Sequence, residues 1–137
     1  MQTIIVDSSS LVALANEKDS THKIALKTVN SFEEPIRVIV PAEILAETLN
    51  TIGKKIGKVY AANTGKELLT STIFEILESN SSIRLSAFEK FVKLPASVSF
   101  TDCVVMAFAD EFETRQIFGF DKSFAKNGYI RIGIDKS

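Results

Sequence analysis

The stretch Thr3 to Val6, TIIV, carries no polar alternation and is followed at once by Asp7, Ser8, Ser9 and Ser10. A strand with one wet face alternates apolar and polar side chains. A β-favouring run without alternation instead suits a strand covered on both faces, as in a parallel sheet flanked by helices. The polar run offers side-chain oxygens to cap a helix that begins near Leu11 and runs through VALANE. Strand, polar turn and helix in direct succession is the unit from which α/β folds are built.

The same order recurs along the chain. Asp19, Ser20 and Thr21 can cap a second helix, in which Ile24, Ala25, Thr28, Val29 and Phe32 recur at helical spacing until Glu33, Glu34 and Pro35 end it. IRVIV is the next strand. Pro41 suits a first helical turn, and Ile44, Leu45, Thr48, Leu49 and Ile52 give one apolar face up to Gly53. A helix over about Lys58 to Leu69 precedes TIFEIL, rich enough in branched and aromatic residues to be a strand. The spacing of Leu85, Phe88, Phe91 and Val92 predicts a helix from Leu85 to Leu94 with these residues as its core side, closed by Pro95.

A further helix, Asp102 to Glu113, places Val105, Met106, Ala109 and Phe112 at buried spacing, with small Ala107 and Ala109 allowing close approach to a sheet. QIFGF is then a short strand ending at Asp121, KSFAK a helical turn, and IRIGI a final strand beyond Gly128. Strands alternating with helices predict a three-layer α/β/α sandwich around a mostly parallel sheet. Among the ten phenylalanines, Phe74, Phe88, Phe108, Phe112 and Phe118 fall in periodic apolar segments and read as core rather than as a base-stacking platform.

With 137 residues, 45% hydrophobic and 24% charged, the chain is expected to form one domain spanning 1–137. No repeat, low-complexity tract or linker divides it. Sixteen basic residues against seventeen acidic ones give a formal charge of −1, which excludes a generic basic coat for nucleic acid, so any such site must be local. A single cysteine, Cys103, excludes an internal disulfide and a cysteine-based zinc site; it reads as a small core residue of a reducing, cytoplasmic compartment. Asp7 interrupts the first apolar run well before the ~20 residues needed to span a bilayer, and no basic segment precedes it, so neither a signal peptide nor a membrane helix is expected.

Four acids stand at the ends of apolar segments. Asp7 and Asp121 each follow a strand and would emerge at one sheet edge if those strands are parallel neighbours; Asp102 opens a helix, and Glu47 sits on the second turn of one that starts at a strand's end. The carboxyl edge of the strands is where such folds bind ligands. Four crowded carboxylates repel and are pushed toward protonation unless a cation compensates. Hard oxygen ligands without histidine or thiolate neighbours favour Mg²⁺ or Mn²⁺ over zinc. Such a centre suits phosphodiester hydrolysis by a metal-activated water, with no protein nucleophile. Each acid alone has an ordinary reading: a helix cap for Asp7 or Asp102, a solvated helix position for Glu47, a turn start for Asp121. Glu43 lies one turn before Glu47 on the same face. The ordered set is what points to a shared site.

The segments IIVDSSSLVAL, VPAEILAETLNTI, SFTDCVVMAFADEF and IFGFDKSFAKNG, in this order and spacing, resemble the PIN domain family, and more narrowly the VapC-type toxin nucleases. In that family an Asp follows the first strand, a Glu lies six residues after the proline of a VP segment, and two Asp occupy TD and FD positions. These fall on Asp7, Glu47, Asp102 and Asp121, with Ser9 and Thr101 matching supporting hydroxyls. The resemblance implies a Mg²⁺- or Mn²⁺-dependent endoribonuclease, frequently dimeric and held inactive by a small antitoxin.

Lys54, Lys55 and Lys58, and Lys122, Lys126 and Arg131 after the fourth acid, suit either steering of RNA phosphates or a solvated charged face. His22 has no second histidine or cysteine to complete a metal set. Alternative readings are a PIN-fold binding or scaffold module and a housekeeping RNA-processing nuclease. An aspartyl-phosphate hydrolase is a further one, but DSSS lacks the second Asp it needs.

Overall fold

The computed structural model describes residues 1–136. In chain order its elements are β1 (Gln2–Val6), α1 (Ser8–Ala15), α2 (His22–Asn30), β2 (Ile36–Pro41), α3 (Ala42–Lys55), α4 (Lys58–Thr70), β3 (Phe74–Leu77), α5 (Ser81–Lys93), α6 (Phe100–Glu111), β4 (Gln116–Phe118), α7 (Lys122–Lys126) and β5 (Ile130–Arg131). The strands form one sheet in the order β3-β2-β1-β4-β5, and every neighbouring pair is parallel.

The unalternated run in β1 has the cause expected of it. Successive strand side chains point to opposite faces, yet Ile4, Ile5 and Val6 are all fully buried, as are Ile39 and Val40 beside them. Helices therefore cover both faces, and the fold is the three-layer α/β/α arrangement. α6 is buried at seven successive positions from Cys103 to Ala109, the pattern of a helix enclosed on all sides. The ladder between β1 and β2 runs from Gln2↔Ile36 to Ile5↔Ile39, whereas β1 meets β4 only at Ile5↔Ile117 and Val6↔Phe118.

Two expectations fail. Leu85, Phe88 and Val92 do not face the core: they are 60%, 55% and 67% exposed, and Phe91 is exposed as well. The Asn80 side chain accepts from the Ile83 N–H and fixes the start of α5 so that Ile83 and Ala87 turn inward. One turn on, the Lys90 ammonium meets Asp110 of α6 at 2.7 Å. Ala87 lets the helices approach closely, and the larger stripe is left on the outer side. The periodicity in the sequence is that of a second apolar face.

The final strand is also shorter than IRIGI. Ile132 N–H still donates to the Ile117 carbonyl at 3.0 Å, but Gly133 turns the chain at φ +86°, a left-handed conformation that glycine tolerates. Among the described residues, no helix is long and apolar enough to cross a membrane.

Candidate active site

The strand order reverses at β1: the chain leaves it for β2 and β3 on one side and returns to β4 and β5 on the other. The crevice at the carboxyl ends of β1 and β4 is therefore the place where an open α/β sheet presents a ligand site. Asp7 follows β1 directly, and its N–H donates to the Phe118 carbonyl at the end of β4, 2.9 Å away. The buried Ser10 hydroxyl lies 2.9 Å from the Asp7 carbonyl and 2.7 Å from that of Phe118, riveting the two strand ends together.

Asp7 is 4% exposed. Its Oδ2 accepts from the Ser9 hydroxyl at 3.0 Å and, more weakly, from the Ser9 N–H at 3.4 Å. Burial pushes its pKa up to about 7, the charge of Asp102 adds to the rise, the Ser9 hydroxyl opposes it, and Glu47 adds again. Gly119 makes room for this side chain, since a Cβ there would lie 2.6 Å from the Asp7 Cβ and 3.3 Å from Oδ2.

Asp102 is the third residue of α6. Its Oδ2 accepts from the Ser99 N–H at 3.1 Å while Ser99 Oγ accepts from the Asp102 N–H at 3.1 Å, a reciprocal capping box. Its carboxyl is also raised above the ordinary range, first by burial, against the lowering effect of the Ser99 bonds, and with a contribution from Asp121. Thr101 Oγ1 lies 3.0 Å from Ser99 Oγ. Asp121 caps α7 through Oδ1, which accepts from the Ser123 N–H at 2.8 Å.

Glu47 projects from α3 with a buried Oε2 that has no hydrogen-bond partner. Glu43 differs in one oxygen only: its Oε2 accepts from Ser79 Oγ at 2.8 Å, at the turn after β3, while its Oε1 is, like Glu47 Oε2, buried without a partner. The charge of Glu47 is felt at Asp7.

Asp7 and Asp102 thus do cap helices, as their ordinary reading holds, and Asp121, read as a turn start, caps α7. Each cap occupies one oxygen: Asp7 Oδ2, Asp102 Oδ2 and Asp121 Oδ1. Electrostatic contact links Asp7 with Asp102 and Glu47, and Asp102 with Asp121. Among the described residues no three acidic, histidine or cysteine side chains close into a ready-made metal cage. The donors suit a hard divalent ion that keeps much of its water and needs only one or two carboxylates directly. The orphaned Glu47 Oε2 and the buried Asp7 carboxyl both lack a positive partner.

Several residues around the site do not stand out in the sequence. Ser99 orients Asp102, and the capping-box spacing from Ser99 to Asp102 is the signal that marks it. Gly119 and the Phe120 backbone have no comparable signature. Arg131, one of the candidate RNA-steering cations, is committed elsewhere: its guanidinium pairs with Asp135 at 2.8 Å and donates to the Phe120 carbonyl at 3.0 Å. Lys54 and Lys58, with Lys66, line an apolar groove of about 810 Å³ between α3 and α4. His22 Nδ1 donates to the Ala13 carbonyl at 2.7 Å, a structural link between α2 and α1.

In structure the chain is similar to the Mycobacterium tuberculosis toxin VapC20, which cleaves the sarcin-ricin loop: TM-score 0.84 and 22% identity, over 94% of this chain and 98% of that one. It is also similar to Rickettsia felis VapBC2 bound to a DNA fragment from its promoter: TM-score 0.67 and 12% identity, over 91% and 92% of the two chains. No curated protein matches it in sequence. The PIN domain model matches residues 4–128, a span that contains all four acids, and the chain belongs to the PIN domain family.

Proposed function

We propose that this protein is a Mg²⁺- or Mn²⁺-dependent endoribonuclease, a VapC-type toxin neutralised by a small antitoxin, whose 137 residues act as one domain. The observation that carries the reading is the Asp7 carboxyl, buried at the strand-order reversal with its pKa pushed up to about 7 by burial and by Asp102 and Glu47. A group held in this way is matched to a divalent cation. Asp7 and Asp102 are the principal ligands, and Glu47 and Asp121 complete the acidic pocket and orient the attacking water.

The bound ion would polarise a phosphoryl oxygen and lower the pKa of a water. The chain's own residues do the rest. Ser9 donates to Asp7 Oδ2 and Ser99 to Asp102 Oδ2, so that each carboxylate is anchored through one oxygen. Thr101 supports Ser99 from the same turn. Glu47, with its unsatisfied Oε2, accepts a proton from water as the phosphodiester is attacked.

VapC20, with the same fold, cleaves an RNA loop, which supports RNA as the substrate. The lysine-lined groove between α3 and α4 suits an antitoxin segment with acidic flanks and apolar anchors. The outer stripe of α5 suits a second copy of the chain, because Leu85, Phe88 and Val92 are exposed apolar residues at helical spacing and such a stripe can pack on its own copy in an isologous contact. The buried thiol of Cys103 fits a reducing cytoplasm.

Cleavage of RNA with Mg²⁺ or Mn²⁺, compared between the wild type and Asp7→Asn and Asp102→Asn, tests the proposal: both variants lose activity. Equal cutting by all three overturns it. The open spacing of the acids favours a second reading, a non-catalytic binding module. Calorimetric titration with Mn²⁺ separates the two, since a scaffold gives neither heat nor a shift in melting temperature.

A further inference from the structure

Both backbone polar groups of Phe120 are gripped. Its N–H donates to Ser9 Oγ at 3.0 Å, and its carbonyl accepts from Arg131 Nη1 at 3.0 Å. Ser9 Oγ in turn donates to Asp7 Oδ2 at 3.0 Å. At the other end the Arg131 guanidinium is fixed by a fork onto Asp135, Nε to Oδ2 at 3.0 Å and Nη2 to Oδ1 at 2.8 Å, while the Arg131 N–H also donates to Oδ2 at 2.9 Å. Hydrogen bonds therefore run from Asp135 through Arg131 to the Phe120 carbonyl, and from the Phe120 N–H through Ser9 to Asp7, the two runs joined by the Phe120 Cα.

The residue after Phe120 is Asp121, and the residue before it is Gly119, which lies against Asp7. The three residues that join β4 to α7 have no ladder partners of their own. Asp121 is bonded forward into α7, whereas the Phe120 backbone bonds are the ones that tie the linker to Ser9, beside Asp7, and to Arg131. Arg131 is well suited to hold a carbonyl there, because its planar fork is already oriented by Asp135 and its side chain is only 15% exposed. Both Arg131 and Asp135 lie beyond residues 4–128 that match the family model.

We propose that Arg131, oriented by Asp135, is a positioning residue that holds Asp121 at a fixed distance from Asp7 by clamping the Phe120 carbonyl. Its significance for catalysis rests on the nuclease reading above. The clamp itself rests on the geometry alone. A guanidinium spent in this way acts on the chemistry through the backbone and not through the RNA, which separates it from the steering role open to the lysines.

The test compares Arg131→Met and Arg131→Lys with Arg37→Met, which removes another guanidinium fork, the more exposed one on Glu75, from strand β2. Three readouts are taken on the full chain: kcat and KM for RNA cleavage, the Mn²⁺ midpoint by calorimetry, and hydrogen exchange of the Phe120 amide. Arg131→Met is expected to lower kcat at least tenfold with KM within threefold, to raise the Mn²⁺ midpoint several-fold, and to speed Phe120 exchange. Arg131→Lys recovers part of each, and Arg37→Met moves none. Unchanged kcat and midpoint in Arg131→Met, or equal losses in Arg37→Met, overturn the proposal. A wild type that binds Mn²⁺ without cutting RNA overturns the nuclease reading instead, and the midpoint and amide exchange then decide the clamp. A wild type that does neither overturns the nuclease reading, and exchange of the Phe120 amide in Arg131→Met against Arg37→Met then decides the clamp by itself.

Discussion

Gly119 stands so close to Asp7 that a methyl group on it would lie 2.6 Å from the Asp7 Cβ and 3.2 Å from the Phe124 ring. The carboxylate occupies space that only a glycine leaves open. Gly119→Ala is expected to destabilise the fold by roughly 1–3 kcal/mol through overpacking and to weaken Mn²⁺ binding, because the methyl group displaces Asp7. Gly53→Ala is the control: its nearest contact would be Ala61 Cβ at 3.9 Å, and removing this glycine from the interior of α3 should stabilise by up to about 1 kcal/mol. Thermal denaturation distinguishes the two, and a neutral Gly119→Ala would contradict the crowding.

The Asp7 carboxyl gives a stability profile that can be read against pH. Its folded pKa of about 7 exceeds its ordinary value of 3.8, so the folded chain binds this proton more tightly than the unfolded one. The resulting stabilisation is fully present below about pH 4 and is lost as pH rises through 7, with a slope of up to about 1.4 kcal/mol per pH unit. Metal-free wild type should lose melting temperature across that window more steeply than Asp7→Asn, and saturating Mn²⁺ should flatten the difference. Parallel curves in metal-free buffer would remove the basis for a strained Asp7.

Glu47 and Glu43 are separable by substitution. Glu47→Gln is expected to reduce RNA cleavage by about a hundredfold or more, in the range of a lost general base. Glu43→Gln should leave cleavage within a few-fold of wild type, because Glu43 is tied to Ser79 through Oε2, whereas the charge of Glu47 is felt at Asp7. Single-turnover rates with Mn²⁺ provide the comparison, and equal losses in the two variants would make them one functional unit.

The outer face of α5 predicts an assembly. Phe88→Glu places a charge in the middle of the Leu85, Phe88 and Val92 stripe. Light scattering should show a change from dimer to monomer, with an unchanged melting temperature at low protein concentration because no core contact is lost. A wild type that stays monomeric at high concentration would assign the stripe to another partner.

How much of this is legible in the sequence depends on what each residue reports. β1 can be read because burial on both faces leaves a direct trace, a run without polar positions. Helix α6 can be read for the same reason. The stripe on α5 misleads because periodicity marks an apolar face without saying what covers it, and only the placement of Ile83, Ala87 and Lys90 against α6 resolves which side turns inward. At the site, the four acids are visible from their positions at segment ends. The network that holds them is not, because Arg131 is 124 positions from Asp7 in a chain of 137 and nothing local marks a guanidinium aimed at a backbone carbonyl.

The uneven ladders on either side of β1 bear on how the molecule would come apart. Four residue pairs tie β1 to β2, but only two tie it to β4. A partial opening would follow the thinner seam, carrying β4, α7 and β5 away as one flap while the remaining three strands stay paired. Asp7 and Asp121 lie on opposite banks of that seam. The protein can therefore lose its acidic centre in a fluctuation that leaves most of its core intact, and the Ser10 and Phe120 contacts serve as stitches across the fault line.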